Sequence, residues 1–224
     1  MKKLDKSKAK ILATVYKEWV DDLEKNSTIH DKHSTSHKYY YDVVANLLLI
    51  QSGLCAYTEQ FLFDPEELKG NLWLNGIYTK GEFQFYGELE HYDASIKQKG
   101  RAWLWENLFV ANSDINRTKW QHQVKYALKP DTEDYDPYKL LEYNFNAHKY
   151  VPNRNLPFDQ QIEILSDINV LGLNFPSLIQ IRRITLNTII EEIRLEKKTL
   201  FEVRKTQREY ITAFEMMVLQ LNLK

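Results

Sequence analysis

Along residues 7–25 the apolar side chains Ile11, Leu12, Val15, Trp19, Val20 and Leu23 recur every three or four positions with charges between them, which predicts an amphipathic helix. A polar stretch over 26–38 carries His30, His33 and His37 and reads as a solvated loop or helix start. No cysteine or obvious carboxylate accompanies the three imidazoles, so the spacing does not argue for a metal cluster. Residues 39–53, YYYDVVANLLLIQSG, are apolar almost throughout and predict a second, more buried helix closed by Gly53. Then the texture changes. Over 54–87, short aromatic runs alternate with the turn signals Asp64-Pro65, Asn75-Gly76 and Lys80-Gly81, which predicts strands and hairpins.

The next aromatic run ends in Glu90-His91, and 101–122 joins an apolar segment to a polar tail with a short helix expected over 114–124. A Pro- and Asp-rich connector and a tyrosine-rich stretch lead back to helical spacing, with Ile162, Leu165, Ile168 and Leu171 on one stripe. After a break at 174–176, residues 177–223 read as one long helical segment. Its Arg182, Arg183, Arg194 and Arg204 are interleaved with glutamates at spacings that suggest a solvated, ion-paired face. The pattern predicts a mainly α, α+β protein. Helices occupy 1–53, a β-rich centre 54–125, and a connector with further helices 126–224.

Composition narrows the classes. The 224 residues are 43% hydrophobic and 13% aromatic, enough apolar material for a folded core. Cys55 is the only cysteine, so an internal disulfide and a four-cysteine zinc site are both excluded, and a cytoplasmic location is expected. No apolar run approaches the roughly 20 residues that span a bilayer, so no membrane association is expected. With 30 basic against 31 acidic residues the net charge is -1, so any nucleic-acid site must be a local patch. Trp73, Trp103 and Trp105 read as core residues before they read as base-stacking platforms.

The candidate chemistry lies in the centre. Glu90 and His91 are neighbours at the end of a strand, and their side chains point to opposite faces of an extended backbone. A carboxylate there and an asparagine on a following helix are hard oxygen donors suited to Mg²⁺, and an imidazole beside them can take a proton from water. Such a set suits phosphodiester hydrolysis.

The order Glu90-His91, Asn107, Asn116 resembles the HNH nuclease family, whose ββα-metal motif sets a histidine on a strand, then a central asparagine, then a histidine or asparagine on a helix. "WENLF" is similar to that family's aromatic-x-Asn-Leu segment and "NSDINRTK" to its Asn-x-x-Lys ending, a form also found in the HNH domain of RNA-guided CRISPR effector nucleases. "LCAYTE" resembles the first zinc-knuckle turn of the larger bacterial HNH group, but the four cysteine positions here are Cys55, Thr58, Asn112 and Ile115. No structural zinc is expected. Ala94 stands where a proline commonly follows the Glu-His pair. "QIEILSDINVLGLNFPSLIQIRR" is similar to the C-terminal segment of HNH proteins from retron and anti-phage defence systems.

The resemblance implies a central ββα-metal motif flanked by N- and C-terminal helices. It also implies His91 as general base, Asn107 holding the imidazole or its loop, Glu90 and Asn116 as ligands of Mg²⁺ or Mn²⁺, and Arg117 and Lys119 facing the phosphate. A nucleic-acid substrate, DNA foremost, a role in bacterial defence and an ATPase partner follow from the family alone. The competing expectation is a degenerate HNH fold that binds nucleic acid, or a helical interaction protein.

Overall fold

The computed structural model describes residues 1–9, 14–68, 73–74, 77–78, 84–120, 122–195 and 197–223. Among these the protein is mixed α+β and mainly helical, with strands that pair only two by two. No described helix is long and apolar enough to cross a membrane. The chain gathers into two compact units: Leu4–Ala56 with Phe61–Gln123, and Met1–Lys3 with Tyr57–Gln60 and Val124–Lys224.

In the first unit, helix α1 (Thr14–Lys25) buries Tyr16 and Val20 and leaves Val15 exposed, so the inward stripe runs one position from the expected one. Tyr16 can go inside because its hydroxyl donates to the Trp103 carbonyl at 2.5 Å, which leaves no polar group stranded. Ile11 and Leu12 lie outside the described residues.

The polar stretch after α1 is mostly exposed, as expected, but its imidazoles pack inward. His30 is buried, accepting the Trp103 N–H at Nδ1 (3.1 Å) and pairing through Nε2 with Glu24 (2.7 Å). The His37 ring stacks on Trp103 with centroids 4.2 Å apart, and the Trp103 indole N–H donates to the Asp31 carbonyl at 3.0 Å. These imidazoles are internal because a buried tryptophan and a nearby carboxylate partner them, and neither partner could be inferred from the local sequence.

Helix α2 (Tyr40–Ile50) is the centre of this unit, with Val43, Val44, Ala45, Leu47 and Leu48 fully buried. It ends where expected. Gly53 takes φ +74°, and a Cβ there would lie 1.9 Å from the Phe63 carbonyl oxygen, so only glycine fits. Strands β1 (Trp73–Leu74) and β2 (Ile77–Tyr78) form a small antiparallel pair. The Asn75-Gly76 and Lys80-Gly81 signals lie outside the described residues.

Strand β3 (Glu88–His91) is followed by the short helix α3 (Ala94–Gln98), strand β4 (Leu108–Ala111) and helix α4 (Ser113–Lys119). β3 and β4 are antiparallel, with Glu90 opposite Phe109 and His91 opposite Leu108. The Gln51 side chain covers the outer edge of β4. It donates to the Val110 carbonyl at 2.8 Å and accepts the Val110 N–H at 2.9 Å, satisfying backbone groups that a two-stranded ribbon leaves open. Cys55 is buried beside the start of α4, where its sulfur accepts the Asn112 N–H at 3.4 Å.

In the second unit, helix α5 (Pro137–Leu140) leads into a hairpin of β5 (Leu141–Asn144) and β6 (Lys149–Pro152), followed by helices α6 (Phe158–Val170), α7 (Pro176–Arg194), α8 (Leu200–Thr206) and α9 (Ile211–Leu221). On α6 the buried side chains are Ile164, Asp167 and Ile168, with Leu171 just beyond, while Ile162 and Leu165 are about half exposed. The expected stripe is thus displaced, because the inward face runs through an acid. Asp167 accepts the backbone N–H groups of Lys125 (2.6 Å) and Leu128 (3.1 Å), and burial raises its pKa despite them.

Arg182 is likewise fully buried rather than part of a solvated face. It donates to the carbonyls of Leu173 (3.0 Å) and His148 (2.6 Å) and lies over the Tyr150 ring at 4.9 Å. The long C-terminal segment is three helices, not one. Thr199 and Glu202 form a capping box that starts α8, and Tyr210 in the left-handed region (φ 53°) starts α9.

Candidate active site

Glu88 and Glu90 share one face of the strand β3, and Leu89 and His91 share the other. A cleft of about 380 Å³ in the first unit is lined by both glutamates, His91, Asn116 and Arg117, together with His33, Tyr40, Lys97 and Trp120.

His91 is buried. Its Nε2–H donates to the Ala102 carbonyl at 2.8 Å, and Nδ1 has no hydrogen-bond partner among the described residues. A backbone carbonyl on one ring nitrogen fixes the tautomer that leaves the other as a lone-pair acceptor. Burial, reinforced by the charges of His33, Lys97 and Lys119, pushes the His91 pKa down to about 3 against the raising effect of the Ala102 carbonyl. At neutral pH the ring is an uncharged base.

Asn107 is buried, and its side chain meets the backbone of Asp93 rather than the imidazole. Its Oδ1 accepts the Asp93 N–H at 2.8 Å and its amide donates to the Asp93 carbonyl at 3.0 Å, so it clamps the turn that follows β3. Asp93 in turn caps α3 by accepting the Ser95 N–H at 2.8 Å. Ala94 is therefore the first residue of a capped helix, where a proline would also be accommodated. Cap and clamp together hold the turn.

Asn116 sits on α4 and donates from Nδ2 to Glu88 Oε2 at 2.7 Å, so the amide nitrogen is engaged within the cleft. Arg117 is exposed and pairs with Asp114 at 2.5 Å. Lys119 turns inward instead: its ammonium reaches Glu90 Oε1 at 2.6 Å and the His91 carbonyl at 2.8 Å, and both side chains of the pair are 1% exposed. It is an anchor under the strand. The helix stops at Trp120, 71% exposed at φ 35°, and this is the exposed aromatic at the cleft, whereas Trp103 is core and Trp105 carries the Lys6 ammonium 5.6 Å from its ring.

Among the described residues no three His, Cys, Asp or Glu side chains form a metal cage. A Mg²⁺ ion asks for less, since it keeps several waters and takes one or two carboxylates. Glu88, Glu90 and the Asn116 amide are all hard oxygen donors on one cleft, and a carboxylate has enough lone-pair sites to accept Lys119 and a cation together. The donor set fits such an ion.

Models of known protein families and curated proteins give no match to this sequence.

The sequence reading leaves Glu88 unassigned and places His33 in a solvated loop, with no role in this cleft. Strand alternation carries Glu90 to Glu88, whereas His33 comes from the loop between α1 and α2, and its spacing to His30 and His37 gives no hint of a place beside His91. Burial, with Lys97 and His37 adding to it, lowers the His33 pKa to about 4. For His33 and His91 the folded pKa lies below the unfolded value. Both rings are neutral in both states above about pH 6.5; below it the unfolded chain takes up protons that the folded one refuses until near pH 3–4. Stability is thus lost as pH falls through that window. In chelator, imidazole NMR should show His91 and His33 untitrated from pH 8 to 5.5, with urea midpoints lower at pH 5.5 than at pH 7; ordinary midpoints near 6.5 for both rings would contradict this geometry.

Proposed function

We propose that this protein is a metal-dependent endonuclease of the HNH type that hydrolyses phosphodiester bonds of nucleic acid, DNA foremost. The observation that carries the reading is His91 itself: an uncharged imidazole at the end of a β-hairpin strand, held by the Ala102 carbonyl with Nδ1 unpartnered, in one cleft with Glu88, Glu90 and Asn116.

In this reading the attacking water gives its proton to His91 Nδ1 as its oxygen bonds to phosphorus, and the ester oxygen departs on the opposite side and is protonated by solvent. Glu90 and Asn116, with Glu88, would hold Mg²⁺ or Mn²⁺. Such an ion polarises a phosphoryl oxygen and stabilises the departing one. Lys119 holds the Glu90 carboxylate oriented in its buried position, Asn107 holds the Asp93 turn, and Arg117 at the rim meets the phosphate. The defence setting and an ATPase partner belong to this proposal through the family resemblance; co-purification from a cell expressing the neighbouring genes tests the partner.

A second reading is favoured by one contact. The Lys119 ammonium on Glu90 supplies a positive charge where a metal would otherwise supply it, as expected of a fold that binds nucleic acid without cutting it. Supercoiled plasmid incubated with the purified protein and Mg²⁺ or Mn²⁺ separates the two. Nicking that chelator and His91→Ala both suppress supports the nuclease; equal, negligible nicking by wild type and variant leaves the binding protein.

A further inference from the structure

His33 occupies an unusual position for a loop residue. Its ring stands edge-on to His91, with centroids 4.8 Å apart and planes at 79°, and Tyr40 and Trp103 hold it at 5.9 and 5.4 Å. Three aromatic walls fix its orientation. Yet neither ring nitrogen has a hydrogen-bond partner among the described residues, and Nε2 is enclosed. Enclosing an unpaired polar atom is unfavourable, and groups left so in a native structure call for an explanation. A bare lone pair inside is the smaller cost, which puts the proton on Nδ1, the nitrogen not shut off from the cleft.

What this N–H would meet is decided by charge. The cation that acts on the His33 ring is Lys97. Lys97 lines the same cleft and acts on His91 as well. A metal cation is disfavoured at that end and an anion is favoured. The carboxylates and Asn116 offer oxygens to a cation, and His33 with Lys97 offers donors and positive potential to an anion, so the cleft matches a phosphodiester with its counter-ion.

We propose that His33 is a substrate-contacting residue, donating a hydrogen bond from its imidazole to a non-bridging oxygen of a nucleic-acid phosphate, with the Lys97 ammonium alongside. This rests on reading the cleft as a nucleic-acid site but not on cleavage. Tyr40, Trp103 and His91 preorganise the donor, so the contact needs no rearrangement of the loop.

The test is binding of a short fluorescent DNA duplex in EDTA, where no cutting occurs, by wild type and His33→Phe. Phenylalanine keeps a ring in the aromatic box and removes both nitrogens. Wild type is expected to bind, and His33→Phe to bind about tenfold or more weakly, the loss typical of one hydrogen bond to a charged group, with an unchanged melting curve. His33→Gln, which retains a donor, should recover part of the loss. A direct measurement stands even if the variants fail to fold: long-range ¹H–¹⁵N correlation of the wild-type imidazoles should show the His33 nitrogens shifting as the duplex, or inorganic phosphate at high concentration, is added. Wild-type failure to bind, equal binding by a folded His33→Phe, or static His33 nitrogens overturns the proposal. Weakened binding by His33→Phe in a protein that never nicks DNA overturns catalysis alone, whereas metal-dependent nicking with binding indifferent to residue 33 overturns this contact alone.

Discussion

His91→Ala is expected to lose metal-dependent nicking of supercoiled plasmid by about 10² to 10⁴-fold, the range for removing a positioned general base. Duplex binding in EDTA should fall far less than nicking does, because Tyr40 and Trp103 still hold His33 when the His91 wall is gone. The reason is geometric. The imidazole donates inward to Ala102, so its loss removes the unpartnered Nδ1 acceptor but neither of the cationic side chains Lys97 and Arg117. A variant that cuts as fast as wild type would mean that another group deprotonates the water, and the assignment of His91 would be withdrawn.

Lys119→Met has the largest expected effect on stability. It strands the Glu90 carboxylate in a position 1% exposed, and breaking a buried ion pair from one side typically costs about 3–5 kcal/mol. It also removes a donor from the His91 carbonyl. The pair Glu90→Gln with Lys119→Met should regain most of that loss, since an uncharged amide beside an apolar chain has no isolated charge to bury. Stability and function should then part company: the double variant folds but does not nick. Urea unfolding of the three proteins measures this. A Lys119→Met protein within about 1 kcal/mol of wild type would show that water reaches the pair and that Lys119 is no anchor.

The sequence was most informative where chemistry and period coincide. Helix α2 and its Gly53 stop were legible because a continuous apolar run and a left-handed glycine are local properties. The Glu90, His91, Asn116 grouping was legible through its order, and strand alternation then extends it to Glu88. Positions whose burial depends on a distant partner were not. Asp167 and Arg182 are inside because backbone N–H and carbonyl groups far along the chain receive them, and hydrophobic periodicity counts such residues as outward-facing. The same blindness hid His30, His33 and His37, whose partners are Trp103, Glu24 and His91. Lys119 was placed at the phosphate by its motif, and its inward turn became visible only once β3 and α4 were seen packed together. The β5–β6 hairpin escaped because Tyr-rich alternation over four-residue strands is too short to stand out from a loop.

The most direct test is the anomalous difference map of a crystal soaked in Mn²⁺. The account predicts a peak on the cleft within about 2.0–2.6 Å of oxygens from Asn116 and from Glu90 or Glu88, with His91 Nδ1 facing a water bound to it. A map with no peak there, Lys119 still paired with Glu90 and Asn116 still turned to Glu88, would contradict it.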